Sequence, residues 1–496
     1  MLEAAIEGLQ GVLALHSLGM MLLGVLIGSV VGFLPGIGGP TTLAIILPFV
    51  MVMKDPIPVI ALLVGIDAVG NTASAFTSIL ISVPGSAGSQ ATILDGYPMA
   101  KRGEAARALS ASFMASLVGG LIGPLILLCS LPLLRPLVLA FGSPEFFVLT
   151  LWGLAMVGVL SGNAPLKGLL AGILGVFIAT VGLDVKSGVE RFAFGEPYLW
   201  DGISLIIVAL GIFGVPECID LASQKSSIAE RQELGSGFKQ GILDVFQNMW
   251  LTVRSSAIGI WVGFLPGLGS SVADWFAYAH AVQTEKNREK FGRGDVRGVI
   301  APEASNNSKE AGSYIPTLAF GIPGGTSTAL ILVAFTAVGI NPGPDMLTTQ
   351  LPFTFAIIWT LTISNIIAVA LCMAFARPIA RCCFLPFYTI VPMILVFVFI
   401  GAFAAHFNRY DLLLLIVFST LGFMMRRHGW PRAPLLLGVV LGTKMELYLW
   451  LSYTRFGTEW LLRPGVVILF FLVLASVLYP VWQGRRRARS DSLEAT

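Results

Sequence analysis

The chain alternates long apolar runs with short polar punctuation. Residues 108–131, 144–161, 164–183, 203–215, 352–376, 384–405, 411–425 and 463–482 are nearly uninterrupted apolar sequence. About twenty such residues, coiled as a helix, cover a bilayer core of about 30 Å. Other apolar stretches are broken by glycine and proline. Counting them, the pattern predicts on the order of ten to twelve membrane segments and an all-α integral membrane protein. At the N-terminus Glu3 and Glu7 precede the first apolar run and no basic start is present. That reads as a short amphipathic helix and not as a cleaved signal.

Two phrases recur. "VGFLPGIGG" at residues 31–39 returns as "VGFLPGLGS" at 262–270. "SILISVPGSAGSQAT" at 78–92 has its counterpart in "LAFGIPGGTSTAL" at 318–330. The order is kept, with 52 residues from Val31 to Val83 and 60 from Val262 to Ile322. Two such phrases in one order in each half indicate internal duplication. The sequence divides into an N-terminal repeat (1–220), a polar connector (221–254), a C-terminal repeat (255–482) and a basic tail (483–496).

Charge sets the orientation. Short loops rich in Lys and Arg stay cytoplasmic. In the first half the basic loop, "DGYPMAKRGEAAR" at 95–107, follows the second phrase; in the second half "TEKNREKFGRGDVRG" at 284–298 lies between the two phrases. If both are cytoplasmic, the halves are inverted repeats, as in many secondary transporters. Basic flanks on both sides of residues 255–283 predict a re-entrant hairpin with its tip at LPGLG and arms of about ten to fourteen residues. Proline removes a donor and glycine admits positive φ, so the chain can turn there.

Irregular backbone at membrane depth is tolerated only inside protein or beside an aqueous cavity. The four breaks are therefore candidate binding sites, with half-helix N-termini suited to anions and C-termini to cations. The substrate-binding candidates are Pro35, Gly36 and Gly38, Ser86 and Ser89, Pro266, Gly267 and Gly269, and Thr326 and Ser327. The unusually polar stretches "VGNTAS" and "PEASNNSKEAG" and two isolated acids provide the candidates for a coupling cation: Asp67, Asn71, Thr72, Asp274, Asn306 and Asn307. Ionisable groups at such depth are functional candidates by default.

Composition narrows the class. Of 496 residues 55% are hydrophobic and only 12% charged, and the net charge of +3 indicates no nucleic-acid partner. The five cysteines form no metal-ligand spacing and the four histidines no catalytic constellation, so the chain reads as a non-enzyme with no bound cofactor. An ion channel would also use broken helices, but discrete polar breaks without a continuous polar face point to binding.

The phrases "GSVVGFLPGIGG", "SVPGSAGSQATILDGYPMAKRGEAARAL", "GFLPGLG", "GVIAPEASNNSKEAGSYIPTLAFGIPGG" and "GINPGPDML" resemble the large membrane subunit of tripartite tricarboxylate transporters, the TctA family, over almost the whole chain. The resemblance implies a multi-pass permease of the bacterial inner membrane. Its partners would be a small membrane subunit of about four helices and a periplasmic solute-binding protein. Its substrates would be small organic acids, chiefly di- and tricarboxylates. An ion gradient of Na+ or H+ would drive uptake, in agreement with the lack of an ATP-binding P-loop. Asp67 and Asp274 depart from the family pattern, which bears on the substrate and the coupling ion.

Overall fold

Helices dominate the computed structural model, which describes residues 1–34, 38–50, 52–159, 164–184, 186–223, 234–266, 270–383 and 391–475. In chain order they are α1 (Leu2–Leu13), α2 (Leu15–Gly32), α3 (Gly39–Val50), α4 (Pro56–Ile81), α5 (Ile93–Lys101), α6 (Ala105–Ala140), α7 (Ser143–Val159), α8 (Pro165–Ala179), α9 (Leu205–Ala209), α10 (Val215–Ser223), α11 (Phe238–Gln247), α12 (Met249–Phe264), α13 (Ser270–Thr284), α14 (Arg297–Phe320), α15 (Thr326–Ala337), α16 (Leu351–Ala374), α17 (Ala376–Cys382), α18 (Val391–His406), α19 (Arg409–Arg427) and α20 (Ala433–Phe456), followed by an apolar helix over Pro464–Ala475. Among the described residues α2, α4, α6, α16 and α20 are long and apolar enough to cross a membrane, and six shorter apolar helices accompany them. The protein is thus an all-α membrane protein. The apolar run at 203–215 is not a plain helix, because a π-helical turn occupies Leu210–Gly214. Residues 384–390 at the start of the 384–405 run, 224–233 of the connector, and 476–496, which take in the end of the 463–482 run and the basic tail, lie outside the described residues.

The chain forms two compact units, Met1–Arg135 with Ile206–Phe423, and Pro136–Leu205 with Met424–Thr496. These units cut across the sequence divisions 1–220 and 255–482, because helices of one half bury their faces on helices of the other. In the first unit, α1 and α4 pack on α16. In the second, α20 packs on α7 and α8, and a two-stranded ribbon, β1 (Gly182–Leu183) and β2 (Glu190–Arg191), pairs antiparallel. There Arg191 makes a bidentate ion pair with Glu446 at 2.6 and 2.9 Å.

Both copies of the first phrase sit in the first unit and pack alike. Helix α2 lies along α4, and α12 along α14. Gly32 and Gly263 are equivalent residues of the two phrases. A Cβ on Gly32 would stand 2.6 Å from the Gly70 carbonyl oxygen, and one on Gly263 2.2 Å from that of Lys309. Backbone meets backbone at both crossings, which only glycine allows.

After the second phrase the copies stay congruent. Helix α4 ends at Ser82 and α14 at Gly321, both left-handed with φ of 58° and 66°, a conformation that stops a helix. Val83 N–H then donates to Thr77 O, and Ile322 N–H to Pro316 O. Residues 85–96 run along α4 in its own direction, with Gly85 against Ser74 and Gly96 against Ile79. They run along α14 in the opposite direction: Gly88 meets Asn306, Thr92 bonds Glu303 and Asp95 meets Gly298. Helices α4 and α14 are therefore antiparallel, as inverted copies require.

One face gathers the basic loops. Asp95 Oδ1 accepts the Gly294 and Asp295 N–H groups, each at 2.8 Å, and Arg102 Nη1 donates to Arg293 O at 2.9 Å. Arg107 grips Asp244 of α11 at 2.6 and 3.1 Å. Burial pushes the Asp295 carboxyl up, but hydrogen bonds from Arg297 outweigh it and hold the group below its ordinary value. An ion pair of 2.6 Å from Arg254 to Glu285 ties the start of α12 to the residue after α13, so this hairpin enters and leaves on one side. Its arms have 16 and 15 residues, slightly longer than expected.

Two predictions follow from this packing. Gly263→Leu should lower stability in detergent by about 1–3 kcal/mol through overpacking, measured as a lower unfolding midpoint. Gly19→Leu, on an open stretch of α2 with nothing within 4 Å, should leave the midpoint unchanged. Single cysteines at the exposed Lys101 and Lys290, placed in a cysteine-free background, should react with an impermeant thiol reagent from the same side of the membrane. Labelling from opposite sides would contradict the antiparallel arrangement.

Candidate functional site

Of the first-phrase candidates, Pro35, Gly36, Gly267 and Gly269 lie outside the described residues, while Gly38 is half-buried and Pro266 buried. The Gly38 carbonyl accepts the backbone N–H and the hydroxyl of Thr42, each at 3.2 Å, and so anchors the start of α3. The next residue, Gly39, brings α3 against two side chains from elsewhere. A Cβ there would lie 3.6 Å from Asp67 Oδ1 and 3.7 Å from Ser327 Oγ.

The second breaks carry one cap written twice, 239 residues apart. Ser86 N–H donates to Ser89 Oγ at 3.1 Å, and that hydroxyl donates to Ser86 O at 3.0 Å. Gly325 N–H and Thr328 Oγ1 repeat the pattern, both at 3.0 Å. Ser89 is thereby engaged in holding its own turn, and its counterpart is Thr328, one of the three hydroxyl residues of the second copy's "PGGTSTA". Ser86 Oγ donates to Ser74 Oγ at 3.1 Å. Thr326 is partly exposed, and Ser327 is buried.

The two copies then differ. In the second, α15 starts at Thr326 and runs 12 residues. In the first, where a half-helix was expected, only a three-residue 3-10 turn forms at Ala87–Ser89, and α5 begins at Ile93. The reason lies in composition. "TSTALILVAF" continues as helix-compatible apolar sequence, whereas "SAGSQAT" offers glycine and hydroxyls that bond locally.

The same spacing of 239 residues relates Asp67 to Asn306 and Gly88 to Ser327. Asp67 faces Ser327, and Asn306 faces Gly88, where a Cβ would fall 2.2 Å from Asn306 Oδ1. The mid-span position of each long helix is thus aimed at the segment after the break of the other copy. Around Asp67 lie Glu310, Lys309 and Tyr314 of α14. Asn71 Nδ2 and Lys309 Nζ both donate to Glu310 Oε1, at 2.6 and 2.7 Å. Asp67 Oδ2, Glu310 Oε2 and the Tyr314 hydroxyl are buried and make no well-formed hydrogen bond.

Around Asn306 the chemistry is different. Its amide is fully buried, and neither amide atom has a hydrogen-bond partner. Nearby, Asp274 Oδ2 accepts the Ala91 N–H at 3.1 Å and Oδ1 accepts the Trp275 N–H at 2.8 Å. Glu303 accepts the Thr92 hydroxyl at 2.6 Å and the Ser116 hydroxyl at 3.3 Å. Asn307 Nδ2 bridges Thr72 Oγ1 and Asn365 Oδ1, at 2.8 and 2.9 Å. Thr72 and Asn307 thus tie α4, α14 and α16 together through hydrogen bonds, which are worth about 0.6 kcal/mol each on average in a membrane. Glu310, Lys309 and Tyr314 were missed from sequence. Extending the repeat offset through the long helices would have exposed Glu310 as the counterpart of Asn71.

Residues 18–437 match the family described as "Tripartite tricarboxylate transporter TctA family". The chain is 35% identical over 437 residues to an "uncharacterized 52.8 kDa protein in TAR-I ttuC' 3'region" of Agrobacterium vitis, covering 86% of this chain and 85% of that protein. It is 37% identical over 191 residues to an "uncharacterized protein in TAR-II ttuC' 3'region" of the same organism, covering 38% of this chain and 79% of that protein. No solved structure matches. A family match across most of the chain, on a helical membrane fold with paired broken segments, makes this protein a transporter component and not an enzyme: it belongs to the tripartite tricarboxylate transporter TctA family.

Proposed function

We propose that the chain is the permease subunit of a binding-protein-dependent secondary transporter in a bacterial inner membrane. It imports small organic acids, di- or tricarboxylates, and draws on an ion gradient of Na+ or H+. It works with a small membrane subunit of about four helices and a periplasmic solute-binding protein. The observation that carries this reading is the pair of antiparallel copies, each ending a long buried helix in the same left-handed cap and the same hydroxyl-capped break.

The substrate is held at the breaks. The first turn of α15 presents free backbone N–H groups, with the Thr326 hydroxyl partly exposed beside them. Ser86 and Ser327 add hydroxyls from the two copies, and Gly38 and Pro266 border the site on the hairpins. Neutral donors suit a carrier that must also release its cargo, since charge-assisted bonds are about twice as strong. Helix α3 packs on α15, and α13 on the turn at Ala87–Ser89. This interlocking of the copies supports movement of the site as one body, an elevator-like alternating access.

The test is uptake of radiolabelled di- and tricarboxylates by vesicles carrying the full complex, under a sodium or a pH gradient. Ser86→Ala and Thr326→Ala should each cost about 1–3 kcal/mol of binding, roughly a fivefold to hundredfold rise in the half-saturating concentration. Ser89→Ala and Thr328→Ala remove caps instead, and should lower the unfolding midpoint by the equivalent of about 0.5–2 kcal/mol. Unchanged uptake kinetics in Ser86→Ala and Thr326→Ala, at equal expression, would remove those residues from the site.

A further inference from the structure

The buried cluster around Asp67 has an unbalanced set of charges and free oxygens. The charged and titratable groups that face Asp67 are Glu310, Lys309 and Tyr314, all from α14. Helices α1, α2, α3, α5, α15, α16 and α17 also pack on α4. Of these α2, α3, α15 and α16 bring no Asp, Glu, Lys or Arg, and His16 lies at the far end of α2, in its first turn; α1 brings Glu3 and Glu7, α5 Asp95 and Lys101, and α17 Arg377 and Arg381, and the charges that act on Asp67 are those of Glu310 and Lys309. With both carboxyls and Lys309 ionised and the Tyr314 hydroxyl neutral, the cluster would hold two negative charges against one positive.

The hydrogen bonds sharpen the point. Lys309 and Asn71 both donate to the same Glu310 oxygen, Oε1. The other oxygen, Oε2, is left bare, and so is Asp67 Oδ2, although the two carboxyls lie within interaction distance. The Tyr314 hydroxyl is fully buried beside Asp67 and makes no well-formed hydrogen bond there. Two bare anionic oxygens repel each other, and adjacent carboxylates excluded from water do not both stay ionised. One proton resolves the conflict: the protonated carboxyl donates to its neighbour, and Tyr314 donates to a remaining oxygen.

Resting on the transporter reading above, we propose that Asp67 and Glu310 hold one exchangeable proton between them and that this proton is the coupling ion. With the proton bound, the triad Asp67–Glu310–Lys309 is neutral and moves through a low-dielectric environment at little cost. Without it the triad carries a net negative charge, and burying an uncompensated charge is expensive. The proton therefore lowers the cost of moving a site that already carries an anionic substrate, while the emptied site, relieved of that anion, returns with the smaller charge of the triad alone, which ties transport to the proton gradient. The proton is taken up by the carboxylate pair from the aqueous face to which the site opens and is released to water on the other. The second copy carries Asn306 where the first has Asp67, so the equivalent pocket has an amide in place of that proton-binding carboxyl. Asparagine is thus a residue this fold already accommodates at such a position.

The test uses the complete tripartite assembly in proteoliposomes, with equal sodium on both sides, a pH gradient of about one unit and an internal pH dye. The wild type should accumulate labelled organic acid about tenfold per coupled proton and acidify the lumen in step with uptake. Asp67→Asn and Glu310→Gln should each abolish the pH-driven accumulation. Independently of transport, the infrared spectrum of the purified wild-type chain should contain a buried carboxylic-acid carbonyl band that Asp67→Asn or Glu310→Gln removes. Uptake driven by a sodium gradient with no dye response, or the absence of that band from the wild type, would overturn the proton assignment and leave the transporter reading standing. Absence of organic-acid uptake and of counterflow under either gradient would overturn the transporter reading itself.

Discussion

A backbone broken inside a membrane must satisfy its own polar groups, because lipid supplies no hydrogen bonds. The architecture of the first compact unit follows from that constraint. Each second break is closed by a left-handed residue and by a hydroxyl that bonds both polar groups of the residue three positions earlier. Each first-phrase helix is laid so closely on its neighbour that backbone touches backbone. The segments after the second breaks are thereby held against protein, and side chains near the middle of α4 and α14 are aimed at them.

Duplication explains the shared geometry, and divergence explains the chemistry. The two copies use equivalent glycines, equivalent caps and antiparallel long helices. At the aimed position, however, one carries a carboxyl and the other an amide. On the break side one carries Ser327 and the other Gly88. A symmetric frame thus holds two unlike pockets, one acidic with a lysine beside it and one with a buried amide flanked by Asp274 and Glu303. A carrier that binds both a substrate and a coupling ion needs such a difference, because two identical pockets would not distinguish them.

Much of this was legible in the chain. Apolar run lengths, the recurring proline–glycine phrases and the displacement of the basic loops are local patterns, and local patterns decide membrane class, the places where helices stop, and the relative direction of the two copies. The family resemblance rested on the same phrases. The expectation of a half-helix after Gly85 failed because a short stretch of glycine and hydroxyl residues is balanced between helix and local turns, and here the turn prevailed.

What only the tertiary structure decided is which side chains meet. Asp67 joins Glu310 and Ser327 because α4 and α14 cross antiparallel in one register and α15 begins at that crossing. Ser89 serves as a cap because its hydroxyl is closed onto its own turn. Asn307 ties Thr72 to Asn365 because three helices converge there. Hydrophobic periodicity says which face of a helix is buried, but these long helices are buried on every side, so periodicity carries no information about their register. Glycine contacts fix α2 on α4 and α12 on α14, and α4 and α14 are held to each other by the Asn71–Glu310 and Asn307–Thr72 hydrogen bonds, with which the chemistry of the site is settled.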